Sequence, residues 1–178
     1  MKRHITIDEH RLWVILHQTH DLLVKYEDKV LEEADLTKEQ HLILWLMDFI
    51  NEGNGNPVIL SDLASSLFKN LNSVSALVNR MAKSGLIEKH RDLPDQRAIR
   101  LVITPKGKEA LAKAVRPNSL LIRKVFSPFS PEEMHTFRVL LKKLRAKVIE
   151  ESNFGDIRID PEMSDRKRID KFLKKRTF

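Results

Sequence analysis

The chain has 178 residues, 42% of them hydrophobic and 32% charged, with a formal net charge of +7 and a pI near 9.7. That is enough apolar material for one sizeable core, while no apolar run approaches the roughly 20 residues that span a bilayer, so a cytoplasmic protein without signal peptide or membrane anchor is expected. The lack of cysteine excludes disulfides, thiolate metal sites, cysteine nucleophiles and thiol switches, and the basic balance favours a polyanionic partner.

In chain order, Thr6-x-x-Glu9 reads as a capping box and opens a predicted helix over about residues 7–33, with Leu12, Ile15, Leu16, Leu22, Leu23, Tyr26 and Val30 at mostly helical spacing. Thr37-x-x-Gln40 opens a second helix. Its stretch from Leu42 to Ile50, which includes Trp45 and Met47, is apolar nearly all round and so is expected to be buried on most sides. NEGNGNP, residues 51–57, reads as a loop. Ser61 is expected to cap a short helix, SDLASSLF. After the connector KNL, Asn72 is expected to cap SVSALVNRMAKSG, with Val74, Leu77, Val78 and Met81 facing inward and Gly85 ending the run. LIEKH and AIRLVI then read as two strands flanking RDLPDQR. A further helix starts from Thr104 with Pro105 in its first position and runs toward Phe126, where Pro117 should kink or divide it. Ser130-Pro131-Glu132-Glu133 begins the last long helix, of about five turns, carrying Phe137, Leu140, Leu141, Leu144 and Val148.

Two short helices joined by a tight turn and followed by a hairpin make a winged helix-turn-helix, so the fold class is mainly α, or α+β, with long flanking helices. The second short helix leaves Ser73, Ser75, Ala76, Asn79 and Arg80 outward. With Asn72 before them and Lys83 after, this face is small or hydrogen-bonding at its start and cationic further along, as suits an element entering a major groove. In the wing, Asp95 and Arg97 are two residues apart in an extended segment, so the carboxylate can orient the guanidinium toward a narrow minor groove. Taken alone, that pair is equally an exposed ion pair without function. Lys69, Arg80, Lys83, Lys89, Arg91 and Arg100 in the same segment favour DNA.

The block LASSLFKNLNSVSALVNRMAKSGLIEKHRDLPDQRAIRLVITPKGKEAL resembles the DNA-binding core of MarR-type regulators, the multiple antibiotic resistance regulator family. The resemblance rests on the helix core NSVSALVNRMAKSGLI, the Asp95-x-Arg97 wing and the exit LVITPKGKEAL, and it extends over roughly residues 6–152. It implies a homodimer in which the first and the last two helices of each chain interlock, and two lobes that grip successive major grooves of double-stranded DNA at an inverted repeat. It also implies transcriptional repression, commonly relieved by a small-molecule effector lodged between the dimer helices and the DNA-binding lobe. On this reading residues 6–36 and 105–152 form the dimerisation helices, 37–104 the winged domain and 153–178 a basic C-terminal extension. Pro117 and that extension depart from the family pattern. The extension adds phosphate contacts, packs across the dimer, or is a solubilising tail.

The dimer has an argument of its own. The terminal helices carry long apolar stripes that a winged unit of some 50 residues cannot cover, so they pair either with a second copy or with each other in an intramolecular bundle. A two-fold dimer would place its recognition helices about 34 Å apart, one turn of DNA. For an effector the candidates are Trp13, His17, His20 and Trp45; His17-x-x-His20-Asp21 has metal-ligand chemistry but a weak spacing, and surface histidines or core tryptophans have the same pattern. No cofactor or metal is expected. Nor is catalysis: the chain has no P-loop, dinucleotide turn, HExxH or nucleophile elbow. The alternative to a regulator is a winged-helix interaction module that has lost specific DNA binding, for which nucleic-acid affinity would be weak and insensitive to salt. Under the regulator reading, Arg97→Ala should lose roughly 1 to 3 kcal/mol of operator binding with little change in folding; unchanged affinity in a titration would remove the wing assignment.

Overall fold

The computed structural model describes residues 4–54, 57–92, 98–152 and Lys174. Helix α1 covers Ile7–Leu31 and passes through a short 3-10 turn, Glu32–Ala34, into α2, Lys38–Asn54. Strand β1, Val58–Ile59, leads to the helix pair α3, Leu60–Ser66, and α4, Leu71–Lys83. Strands β2, Ile87–His90, and β3, Arg100–Ile103, follow, and then α5, Pro105–Phe126, and α6, Pro131–Ser152. The mainly helical, winged helix-turn-helix class expected from the pattern is the one observed.

Local chemistry explains most of the helix starts. Thr6 and Glu9 exchange side-chain and backbone hydrogen bonds, Glu9 N donating to Thr6 Oγ1 at 3.2 Å and Thr6 N to Glu9 Oε2 at 2.8 Å. The same reciprocal pairing joins Thr37 to Gln40 and Ser130 to Glu133. Helix α5 opens on Thr104, with Pro105 in the first turn, where its missing N–H removes no helical bond.

Four expectations are corrected. Helix α2 runs to Asn54, through residues expected to form a loop. A glycine or asparagine lowers helix stability by about 1 kcal/mol or less, and the buried run of Ile43, Leu44, Leu46, Met47 and Phe49 carries the helix past them. Ser61 does not cap α3. Ile59 stands there instead, extended at φ −113° and ψ 164°, its N–H donating to Asp62 Oδ2 at 3.2 Å, so Ser61 lies inside the first turn. Asn72 likewise lies inside α4, which is capped by Asn70. Pro117 does not divide α5: Leu111 and Ala114 before it and Leu121 after it are all buried, and that burial outweighs one lost backbone donor.

Strand β1 was not anticipated. Its two residues add a third, antiparallel strand, giving the order β1-β3-β2 with Val58 opposite Leu101 and Ile87 opposite Ile103. The core runs from Leu31 and Leu36 through α2, against Leu63 on α3 and Val74, Val78 and Met81 on α4, and on to Leu101, Leu111 and Ala114. It stops there. Helix α6 buries none of its residues, and α1 buries only Leu31.

The tightest packing lies where α5 begins. A Cβ at position 107 would sit 2.1 Å from the Leu86 carbonyl oxygen and 2.9 Å from Ile103 Cγ2, so the glycine is required by space. Gly107→Ala should therefore destabilise the fold by roughly 1 to 3 kcal/mol or more, because backbone rather than a flexible side chain must give way. A thermal unfolding midpoint equal to that of the parent protein would contradict this.

Candidate nucleic-acid interface

Helix α4 separates its residues cleanly. Val74, Leu77, Val78 and Met81 are buried against the core, and Asn72, Ser73, Ala76, Asn79, Arg80 and Lys83 are exposed, while Ser75 is half-buried at the border. The outward residues 72, 76, 79 and 83 recur every three or four positions and so lie along one face.

The start of that face depends on Asn70. Its backbone is extended at φ −68° and ψ 153°, and its Oδ1 accepts the Ser73 N–H at 2.8 Å. Because Asn70 takes the capping role, the Asn72 side chain is released to the exposed first turn. The free N–H groups of that turn, at the positive end of the helix dipole, suit a phosphate oxygen. At the other end, Arg80 and Lys83 lie in the last turn, and Gly85 at φ 74° turns the chain into β2.

Two contacts join the hairpin to this helix and to itself. Lys89 Nζ on β2 donates to Asn79 Oδ1 at 2.6 Å. At the stem of the wing, Arg100 Nε donates to Asp92 Oδ1 at 2.9 Å, and a second bond joins Arg100 Nη2 to Asp92 Oδ2, making a fork-on-carboxylate pair. The hydrogen bond from Arg100 holds the Asp92 carboxyl below its ordinary range, and the same bond raises the Arg100 guanidinium. The stem is thus closed by a charged pair that stays ionised at neutral pH. Arg91 beside it is exposed. Asp95 and Arg97, the expected wing-tip pair, lie outside the described residues.

Three of the effector candidates lie on α1 and one on α2. Trp13 is 61% exposed on α1 and packs on His17 with ring centroids 4.3 Å apart, while His17 Nδ1 is 2.8 Å from the Trp13 carbonyl oxygen. His20 approaches Asp21 at 3.3 Å. Trp45 is half-buried on α2 and stacks on Phe49 at 5.2 Å. Among the described residues no three histidine or acidic side chains converge as a metal site would require.

No protein-family model matches the chain. Individual relatives do. The HTH-type transcriptional regulator YsmB of Bacillus subtilis is 24% identical over 118 residues, spanning 66% of this chain and 77% of the relative. An organohalide-sensing transcriptional regulator, solved with 2,4-dichlorophenol bound, superposes with a TM-score of 0.71 at 26% identity, over 81% of this chain and 83% of that one. A MarR family regulator from Streptomyces coelicolor, solved in complex with DNA, reaches a TM-score of 0.75 at 19% identity, over 83% of this chain and 92% of that one. The chain is a transcriptional regulator of the MarR fold.

By their order, α3 and α4 are the helix-turn-helix and the β2–β3 hairpin is the wing, and the outward face of α4 is the candidate surface for DNA. Sequence reasoning found that face but missed three of the contacts that hold it. Asn70 offered the same Asn-x-x-Ser pattern that any cap would, two residues before the asparagine that was chosen. Asp92 and Arg100 are diagonal neighbours once His90 is set opposite Arg100, a register visible only in the folded hairpin. Lys89 and Asn79 meet across the turn at Gly85, with no periodic signal. No helix among the described residues is long and apolar enough to cross a membrane. Asn70→Ala should lower stability by about 0.5 to 2 kcal/mol and weaken DNA binding in parallel, since the first turn of α4 frays; equal unfolding midpoints in thermal melts would assign the cap elsewhere.

Proposed function

We propose that the regulator is a homodimeric repressor that binds an inverted-repeat operator, with residues 6–36 and 105–152 forming the shared dimer body and residues 37–104 the DNA-reading lobe. The observation that carries this reading is the apolar surface left on the terminal helices. On α1, Leu12, Trp13, Ile15 and Leu22 are all more than half exposed, and on α6 Leu140 is 57% and Val148 51% exposed. Surface of this extent on a folded chain marks an interface. Between α6, the end of α5 and the turn after α3 lies an open groove of about 1250 Å³, bounded by Phe68, Phe126, Met134, Phe137, Leu141 and Arg138. It exceeds the roughly 300 to 1,000 Å³ of a small-ligand pocket and suits a helix from a second copy.

In such a dimer the outward residues of α4, from Asn72 to Lys83, address the major groove, and Arg97, oriented by Asp95 and with Arg91 near it in the chain, enters the flanking minor groove. Release by a small-molecule effector completes the reading. Its support is the organohalide-sensing relative solved with 2,4-dichlorophenol bound, and the candidates on this chain are Trp13, His17, His20 and Trp45. The basic extension, residues 153–178, lies outside the described residues apart from Lys174.

The test is assembly coupled to binding. The parent protein is expected to sediment as a dimer, and Leu140→Glu, which buries a charge in the proposed interface, to shift it to monomer and weaken operator binding at least about tenfold through the loss of the second half-site. A monomeric parent protein that still binds an inverted repeat, or a Leu140→Glu variant that remains a dimer with unchanged affinity, would refute the proposed arrangement.

A further inference from the structure

The hydrogen bond between wing and recognition helix has a consequence for base choice. Lys89 Nζ lies 2.6 Å from Asn79 Oδ1. An ammonium has donors only, so it fixes the orientation of the amide: the oxygen faces the lysine and the NH2 group is turned away. Both side chains are exposed, and Asn79 stands on the outward face of α4, seven residues and so about 10.5 Å along the axis from Asn72.

A free asparagine on a recognition helix is a two-way group. Its carbonyl accepts from N6 of adenine while its amide donates to N7, and the combination specifies adenine. Asn79 is not free in this sense: the ammonium takes one of the two lone pairs of its carbonyl and sets a positive charge beside the other, which disfavours the approach of a further donor. What the two side chains offer besides this bond is the amide N–H groups and the remaining ammonium N–H groups, a surface dominated by donors. Guanine presents two acceptors side by side, O6 and N7, whereas adenine would set its N6 donor against that donor pair.

We propose that Lys89 and Asn79 act as one donor pair that reads guanine in the major groove, so that Lys89 sets the base preference of a helix to which it does not belong. The inference rests on the operator-binding reading above. A phosphate oxygen would also satisfy two donors, but a phosphate contact carries no sequence information, and this difference separates the two outcomes.

The experiment is selection of bound duplexes from a random library, at fixed salt with nonspecific competitor, using the full-length parent protein, Lys89→Met and Asn79→Ala, each first checked for an unchanged unfolding midpoint. The parent protein is expected to enrich an inverted repeat with guanine at one symmetric pair of positions. Lys89→Met should keep the repeat and its spacing while the guanine-to-adenine ratio at that pair falls about tenfold or more, and Asn79→Ala should weaken the guanine preference at the same pair. A Lys89→Met protein that selects the parental motif, with affinity lowered evenly and a salt slope reduced by about one, would overturn the inference in favour of a phosphate contact. A parental repeat with no guanine that responds to either substitution would overturn it alone, whereas no repeat at all from the parent protein would overturn the operator reading and the inference together.

Discussion

The approach of helix α5 to the Leu86 carbonyl organises the molecule. Gly107 has no side chain to obstruct it, and Thr104 uses the space, its hydroxyl donating to the Gly85 carbonyl at 2.6 Å while accepting the Gly107 N–H at 3.0 Å. Lys106 Nζ adds a bond to the Ser84 carbonyl at 2.8 Å. The C-cap of α4, the residue before β2, the last residue of β3 and the first turn of α5 are thereby tied at one point. Helix α5 then runs 22 residues, roughly 33 Å, away from that point. Any movement of α5 is felt by α4 and the wing together, since interiors packed this closely shift as blocks rather than deform continuously.

That lever leads from a well-covered lobe to uncovered helices. The buried side chains of α5 end at Leu121, and beyond it Ile122 and Phe126 are exposed, as is Phe129 before α6. Phe129 stacks on Phe137 at 5.8 Å and faces Phe126 at 6.2 Å, which holds the turn between α5 and α6 by aromatic contact although neither helix there reaches the core. The single chain thus fixes the direction of α6 without burying it. In the proposed dimer, an apolar helix presented in a defined direction is a prepared half-interface. Ordering it before association reduces the entropy lost on pairing.

What could be read in the sequence is divided by distance along the chain. Thr6 with Glu9, Thr37 with Gln40, and Ser130 with Glu133 are legible because both partners of each capping box lie within four residues. The inward face of α4 is legible because its period is helical. The two-residue strand β1 is too short to have a period, and it exists because Val58 pairs with Leu101, 43 positions later. The end of α2 and the continuity of α5 through Pro117 were misread for a related reason: local penalties of about 1 to 3 kcal/mol were visible, and the tertiary burial that outweighs them was not. For the candidate site, the outward residues of α4 and the basic Lys89 and Arg100 were legible in the sequence, whereas the contacts made by Asn70, Lys89, Asp92 and Arg100 were not. Three of those four act across the turn or the hairpin.

Those positioning contacts also change what the net charge of +7 means for function. A mobile surface lysine attracts a polyanion from a distance and contributes affinity that salt removes, with no preference among sequences. A cation held by a protein acceptor has already lost its rotamer freedom, so less is surrendered on binding and its donors arrive in one geometry. Arg100 is held by Asp92, and Lys89 by Asn79. Arg100 therefore serves the shape of the wing stem more than the total attraction, and its charge is largely offset by its carboxylate partner. Lys89 keeps its full charge but in a fixed place. The long-range field must then come chiefly from cations such as Arg80, Lys83 and Arg91, which are exposed around the same face. On the proposed reading, one basic surface in this way divides its work, some cations bringing DNA to the lobe and others fixing what the lobe presents to it.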